Sequence, residues 1–562
     1  MAQNILILSL TRMGDLIQTT PLIQGLREKY PDAKITLMVS SDFESTVSLI
    51  PGVDDAIVFN LRQFMNVDDW EDESWVKIYQ YLESEFNSIR NARYDLLVNL
   101  SHSRFSALMV HYLKIKDVIG FHCSGSGDRM TGHPWMQYFG TEPFNRNYNE
   151  FNLVEIFSRS GGIDMDGREI KVLEEFIDFS EAEDDLVIGF QIGSSLENRR
   201  WSTASFAKLA NLLVEKLDAR IILFGVESES KSAEEMMQLA SHKDRINDLT
   251  GKTDLKQLTG LLKDCDYLVT NDTGTMHLAA ALNTKIIGLF FAHAHPFETA
   301  PFSSGHLIFQ ARIDCAPCSY GVHCNNIVCV EKVLPEHILA FVEKHIEHKN
   351  WYLPSDLTNT EELNVFETVK SSQGLIRLKP VIRHDLAVKD VFRLAYSSLW
   401  RETLVEEDNA HSINTQEMLA DYNISESKNI EDIIRSKTEL LQTVIALAGK
   451  GARLCDGIVK NAARALPVKL VRFGEEIKII DEKIELTGMA HPELKPITDM
   501  FAKRKENLIG SDISRLGIES KNCYVSLKKE SRRMIEILSA FEGNISMSYS
   551  THNSMRVAVP GR

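Results

Sequence analysis

The stretch YLVTNDTGTMHLAAAL, residues 267–282, carries an apolar, β-rich run into a polar turn and then into a helix of small residues. Strand, turn and helix in that order make an α/β unit. Backbone N–H groups of Thr273, Gly274, Thr275 and Met276 would face outward at the helix start, where the aligned peptide dipoles favour an anion such as a diphosphate. Gly274 permits close approach of another backbone. Alone, the stretch admits a second role equally well, in which Asp272 or Thr273 caps the helix and His277 packs in its first turn.

Working outward, further strands are expected at residues 187–192, 221–224 and 286–290, an alternating block that begins near 186. An earlier block alternates in the same way, with strands at 5–10, 35–39 and 96–100. Its helix over 21–29 carries Leu22, Ile23 and Leu26, continued by Tyr30, on one stripe, with Pro21 in the first turn. Gly161, Gly162, Asp164, Asp166 and Gly167, then the acidic run at 181–185, read as a linker, which places a boundary near residue 180. The first block repeats the ligand-binding context in TRMGDLIQTTP, residues 11–21, where Asp15 follows the first strand. Ligands of open α/β sheets collect outside the carboxyl ends of strands, so Asp15 and the Asp272 loop are expected on opposite walls of one cleft, with Asp15 as a base.

Beyond Lys349 the alternation stops. Ile430, Ile433, Ile434, Leu440, Leu441, Val444, Ile445 and Ala448 fall at helical spacing behind Asn429, a fitting N-cap. The 562 residues suit about three domains: 1–180, 181–349 and a mainly helical 350–562. Apolar residues at 44% and charged residues at 25% are those of a globular chain. A formal net charge of −17 argues against broad nucleic-acid binding. The start, MAQNILILSL, is too short an apolar run to span a bilayer and reads as a first strand, not a signal peptide.

Eight cysteines without a secretory signal suggest a reducing compartment. Four of them, Cys315, Cys318, Cys324 and Cys329, lie in DCAPCSYGVHCNNIVC with His323 as a substitute ligand. Four thiolates could enclose one tetrahedral zinc or iron with no open position, a structural site. Reduced loop thiols or an adventitious disulfide are the alternatives. Two Asp-x-Asp strings, at 164/166 and 264/266, are poorly placed to hold a sugar diphosphate on a metal.

Together, the loops at 11–21 and 271–282 resemble the signature loops of glycosyltransferase family 9, the heptosyltransferases, over about residues 1–345. The resemblance implies an α/β, GT-B architecture, two facing Rossmann-like doubly wound domains, followed here by the mainly α extension. FQIGSSLENRRWSTASFAKLA, residues 190–210, is similar to the family segment in which a basic residue two before Trp contacts the diphosphate. That position is Arg199, with Arg200 beside it, where the family usually has Lys. By the same resemblance Glu229, rather than Glu227, would accept from ribose hydroxyls. The implied reaction is metal-independent inversion from a nucleotide sugar, ADP-heptose by family, to a saccharide of lipopolysaccharide-core type or a protein hydroxyl, Asp15 taking the acceptor proton. The loops at 101–104 and 123–133, with Arg104 and Arg129, are candidate acceptor walls. The resemblance suits a cytoplasmic protein and is compatible with peripheral membrane association and with homo-oligomers. Related autotransporter heptosyltransferases organise assembly with a cysteine cluster around iron, similar in character to residues 315–329. Two other readings remain at this stage, a metal-organised scaffold without transfer activity and a nucleotide-sugar epimerase.

Overall fold

The computed structural model describes residues 3–60, 62, 72–165, 167–173, 185–355, 357–372, 374–404, 415–424, 428–462 and 467–557. Asp166, most of the acidic run and the boundary expected near 180 lie outside these residues. The chain gathers into two compact units, one of residues 1–106, 112–118 and 152–382, the other of 107–111, 119–151 and 383–562.

In the first unit, strands β1 (Asn4–Ser9), β2 (Lys34–Ser40), β3 (Asp55–Phe59) and β4 (Leu96–Asn99) lie parallel in the order β3-β2-β1-β4. The pair β5 (Asp117–Cys123) and β6 (Arg129–Gly132) follows in the chain as an antiparallel hairpin whose paired residues, 120–123 and 129–132, belong to the second unit.

A larger sheet holds β7 (Val187–Gln191), β8 (Arg220–Phe224), β9 (Ile246–Asp248), β10 (Tyr267–Asn271), β11 (Lys285–Phe290), β12 (Leu307–Ala311), β13 (Leu363–Lys370) and β14 (Ile376–Pro380). Its order is β14-β13-β12-β11-β10-β7-β8-β9. It is parallel from β9 to β12 and antiparallel from β12 to β14. The α/β expectation therefore holds, two parallel-dominated sheets with helices plus a helical C-terminal region.

β1, β2 and β10 are buried almost end to end, as parallel strands covered on both faces must be. The Thr20–Lys29 helix buries Leu22, Ile23 and Leu26 on the expected stripe, and Tyr30 is its C-cap. In each sheet the strand order reverses beside the first strand of the block, at β1/β4 and at β7/β10. The loops leaving β1, β7 and β10 thus open at the switch points, where α/β sheets bind ligands.

Two expectations change. The region from 350 does not begin as helix: residues 363–380 are β13 and β14, where Leu363, Val365, Phe366 and Thr368 are buried along a strand that extends the sheet. Asn429 is not an N-cap, because the helix Lys428–Ala462 already includes it. Ile430, Ile434, Leu441, Val444 and Ala448 of that helix are buried as the spacing implied. No helix among the described residues is long and apolar enough to cross a membrane.

The second unit is built around the helices Val388–Thr403, Lys428–Ala462, Pro467–Ala490, Lys495–Glu506 and Ile513–Val557. Residues 119–151, which the sequence places with the first domain, join it through long-range contacts that local periodicity cannot register. Asn507 exchanges two hydrogen bonds with the Thr131 backbone at 2.9 and 2.8 Å. Trp135 and Tyr138 meet Phe151 edge-on, Tyr138 lies 6.1 Å from Trp400, and the Arg401 guanidinium covers the Phe151 ring at 4.7 Å.

Arg504 grips Glu530 through two bonds of 2.9 and 2.6 Å, with the Glu530 side chain 3% exposed. Removing one partner strands a buried charge, so Arg504→Met should cost roughly 3–5 kcal/mol, whereas Arg504→Met with Glu530→Leu should recover most of it. Calorimetric unfolding of the three proteins measures both effects.

Candidate active site

The first unit contains a cleft of about 1030 Å³. Its lining draws on the loops that follow β1, β7, β8, β10 and β11. Asp15, Arg199, Arg200, Glu229, Asp272, Thr273, Gly274, Thr275 and His277 all line it. Met276 does not: its side chain is fully buried, and its N–H already donates to Thr273 O at 3.1 Å. That amide belongs to the helix and is not part of an anion cradle.

The walls meet at two glycines. A Cβ on Gly14 would lie 3.1 Å from Gly274 Cα and 2.9 Å from His277 Cδ2, and a Cβ on Gly274 would lie 3.1 Å from Gly14 N. The helices Met13–Gln18 and Gly274–Ala281 therefore start against one another, the first carrying Asp15 and the second the turn that precedes it.

Thr273 is the N-cap in extended backbone, and no side-chain oxygen caps this helix. The simple capping role for Asp272 or Thr273 is thus not what the turn adopts. Asn271 anchors the turn from below, donating to Gly193 O at 3.0 Å and accepting from Trp201 N at 3.0 Å. Thr275 donates to Gln191 Oε1 at 3.0 Å. These bonds tie β10 to the segment after β7, so that the arginines ahead of Trp201 reach the cleft.

Burial pushes the Asp15 carboxyl above its ordinary range; the Arg12 backbone and guanidinium pull it down, and the nearby Asp272 charge pushes it up. The Arg12 N–H donates to Asp15 Oδ2 at 3.2 Å, and Arg12 Nη1 donates to Ser195 Oγ at 3.0 Å. Arg199 Nη2 donates to the Asp272 carbonyl at 2.9 Å and pairs with its carboxylate, which also accepts from Thr299 Oγ1 at 3.2 Å. Arg200 donates to Ser194 O at 3.1 Å and Ser232 Oγ at 3.3 Å. The Nε atoms of both arginines have no partner among the described residues. Burial drives the His277 imidazole down to about 4, so it is neutral near pH 7, and its Nδ1 is unpartnered among the described residues.

Glu229 Oε2 accepts from Val226 N at 3.0 Å and Gln191 Nε2 at 3.3 Å, which fixes that carboxylate at the mouth of β7 and β8. Sequence reading missed Arg12, Gln191, His295, Glu298 and Tyr320, which also line the cleft. Arg12 lay in a quoted loop. Tyr320 comes from the cysteine loop and donates to Glu298 Oε2 at 3.2 Å, a non-local pairing without a local signal. Arg129 covers the Phe121 ring at 4.7 Å within the second unit. Asp266 accepts from Val187 N at 2.9 Å and is structural.

None of the eight cysteines is in a disulfide. Burial raises the Cys329 thiol, which Cys315 and Cys324 are near enough to raise further. Four thiolates would suit zinc or iron by donor chemistry. Their arrangement does not yet fit one: among the described residues no three His, Cys, Asp or Glu side chains converge as a ligand set.

Residues 84–326 match the family model of glycosyltransferase family 9 (heptosyltransferase). The lipooligosaccharide heptosyltransferase 2 of Haemophilus ducreyi is 28% identical over 324 residues, 55% of this chain and 88% of that protein. The lipopolysaccharide heptosyltransferase 3 of Escherichia coli is 24% identical over 290 residues, 50% of this chain and 81% of that one. Among solved structures, the ADP-heptose heptosyltransferase II of E. coli is 20% identical with a TM-score of 0.45, covering 62% of this chain and 99% of that one.

Because Gly14 and Gly274 leave no room for a methyl group, Gly14→Ala should cost about 1–3 kcal/mol by overpacking. Thermal unfolding reads that loss, and an unchanged midpoint would mean that the contact is not tight.

Proposed function

We propose that this heptosyltransferase-like chain, which matches glycosyltransferase family 9 over residues 84–326, transfers a heptose-like sugar from a nucleotide sugar, ADP-heptose by kinship, to a saccharide or protein hydroxyl. Relatives named for lipopolysaccharide and lipooligosaccharide support an acceptor of lipopolysaccharide-core type. They also favour a cytoplasmic site of action at or near the inner membrane.

The observation that carries the reading is the shared cleft, lined by Asp15 on one side and by Asp272, Thr273, Gly274, Thr275 and His277 on the other. Transfer proceeds by single displacement. Asp15 takes the acceptor hydroxyl proton, the oxygen attacks the anomeric carbon from the face opposite the leaving group, and the nucleoside diphosphate departs with the bonding pair. Inversion follows from one displacement.

The departing diphosphate gathers negative charge. Arg199, Arg200 and the dipole at the start of the Gly274–Ala281 helix stabilise it, a task otherwise given to a divalent cation. No metal enters this scheme. Asp272 holds Arg199 in place in the meantime, so a donor phosphate replaces or shares an existing acceptor instead of ordering a loose side chain. Glu229, already fixed through one oxygen, receives ribose hydroxyls on the other. Neutral His277 adds a ring nitrogen without adding charge.

Asp15→Asn should lower transfer by roughly 10²–10⁴ while leaving donor binding intact. Thermal shift against ADP-, GDP- and UDP-sugars reads binding, and mass spectrometry reads transfer. Full activity in Asp15→Asn would defeat the assignment, and donor conversion without acceptor would replace transfer by epimerisation. The base works ionised, so kcat/KM should fall as pH drops through the Asp15 pKa. Because burial raises that value, the acid limb should lie above 3.8 and disappear in Asp15→Asn.

We propose separately, from donor chemistry alone, that Cys315, Cys318, Cys324 and Cys329 would hold a structural zinc or iron, for which the described side chains form no converged ligand set. No chemical step passes through it. Stoichiometric zinc or iron in the purified chain, lost in Cys318→Ser, supports this; a metal-free chain with four reactive thiols rejects it.

A further inference from the structure

The strand ends beside the cleft follow one another across the larger sheet in the order β12, β11, β10, β7 and β8. Glu229 stands beyond the β8 end, Arg199 and Arg200 follow β7, and Asp272 to Thr275 lead out of β10. A nucleotide sugar with its ribose at Glu229 and its diphosphate at the arginines therefore points its sugar past β10, toward the segments that follow β11 and β12. Those segments bring His293, His295, Glu298 and Tyr320 into the cleft, and the transfer scheme gives none of them a role.

Tyr320 is anchored at its hydroxyl and half open to the cleft. The hydroxyl donates to Glu298 Oε2 at 3.2 Å and the ring centroid lies 5.4 Å from that of His293, yet the residue is 53% exposed. The loop that delivers it is tied back where Cys318 N donates to Ala292 O at 2.8 Å. Glu298 is buried in the single helical turn Pro296–Thr299. On the same turn Phe297 meets Phe366 of β13 edge-on, with ring centroids 5.7 Å apart, and Thr299 donates to the Asp272 carboxylate at 3.2 Å. The added strand and the turn after β10 thus both brace the carboxylate that holds Tyr320.

We propose that Tyr320 and Glu298 read the sugar of the donor, Tyr320 as a platform for the apolar C–H face of a pyranose and Glu298 as the acceptor for one of its hydroxyls. This assignment rests on the nucleotide-sugar reading of the cleft and adds the element that selects the sugar. A pyranose carries C–H groups on its faces and hydroxyls around its rim. The negative face of an aromatic ring attracts the first, and a carboxylate attracts the second. An ionised carboxylate offers about four lone-pair sites, so Glu298 can hold Tyr320 and a sugar hydroxyl together. Because the phenol bond fixes the ring before the sugar arrives, less ordering is left to binding itself.

Isothermal titration of the full chain with ADP and with ADP-heptose separates the sugar from the nucleotide. Tyr320→Ala should weaken ADP-heptose by about tenfold and leave ADP within about twofold, whereas Tyr320→Phe, which keeps the ring, should stay within about threefold of wild type on both. Glu298→Gln should likewise weaken the sugar nucleotide and spare ADP. In steady-state transfer the Tyr320→Ala loss should fall on the donor KM and leave the acceptor KM alone. Equal weakening of both ligands would mark a structural role and overturns the proposal. So does a loss confined to the acceptor KM, or a Tyr320→Ala chain that binds ADP-heptose as wild type does. Those results leave the donor reading of the cleft standing, while a wild type that binds neither ligand removes that reading and this assignment together.

Discussion

Two backbones without side chains touch where Gly14 and Gly274 meet, and that approach sets the geometry of the candidate site. Each glycine lies in the first turn of a helix that follows β1 or β10, so the contact brings the two switch points together. A methyl group at either position would press on the opposite backbone at 3.1 Å, and the neighbours would have to give way. Asp15, next to one glycine, and Thr275, next to the other, consequently share a cleft although 260 residues separate them.

Charge in that cleft is organised in pairs before any substrate arrives. Asp272 pairs with Arg199, and Arg12 moderates Asp15, whose burial nevertheless keeps it more basic than an exposed aspartate. The buried, uncharged His277 adds no further charge to that small space. Such preorganisation is what electrostatic catalysis requires, since dipoles already oriented need not reorganise as charge develops.

Much of this was legible in the sequence wherever the signal was local. Strand, turn and helix at 11–21 and 267–282 announced both loops, and Asp15 and Asp272 followed from them. The Thr20–Lys29 and Lys428–Ala462 helices showed their buried stripes in their spacing. What escaped was non-local or modest in pattern. Met276 looked like a free amide donor until the first helical turn claimed it. Residues 363–380 carry too short an alternation to stand out against helices on either side, and they form strands because an open sheet edge at β12 accepts them. Tyr320 reaches the cleft from a loop whose cysteines drew attention elsewhere. Segment 119–151 belongs with helices more than 230 residues later, a pairing for which periodicity has no vocabulary.

That last pairing has a consequence for how the molecule is made. At about 5–20 residues per second, the ribosome releases Trp135, Tyr138 and Phe151 tens of seconds before Trp400 and the helices that shelter them. Throughout that interval the nascent chain carries an aromatic cluster without the helices that later cover it. The long helices are therefore the piece whose arrival completes the second unit.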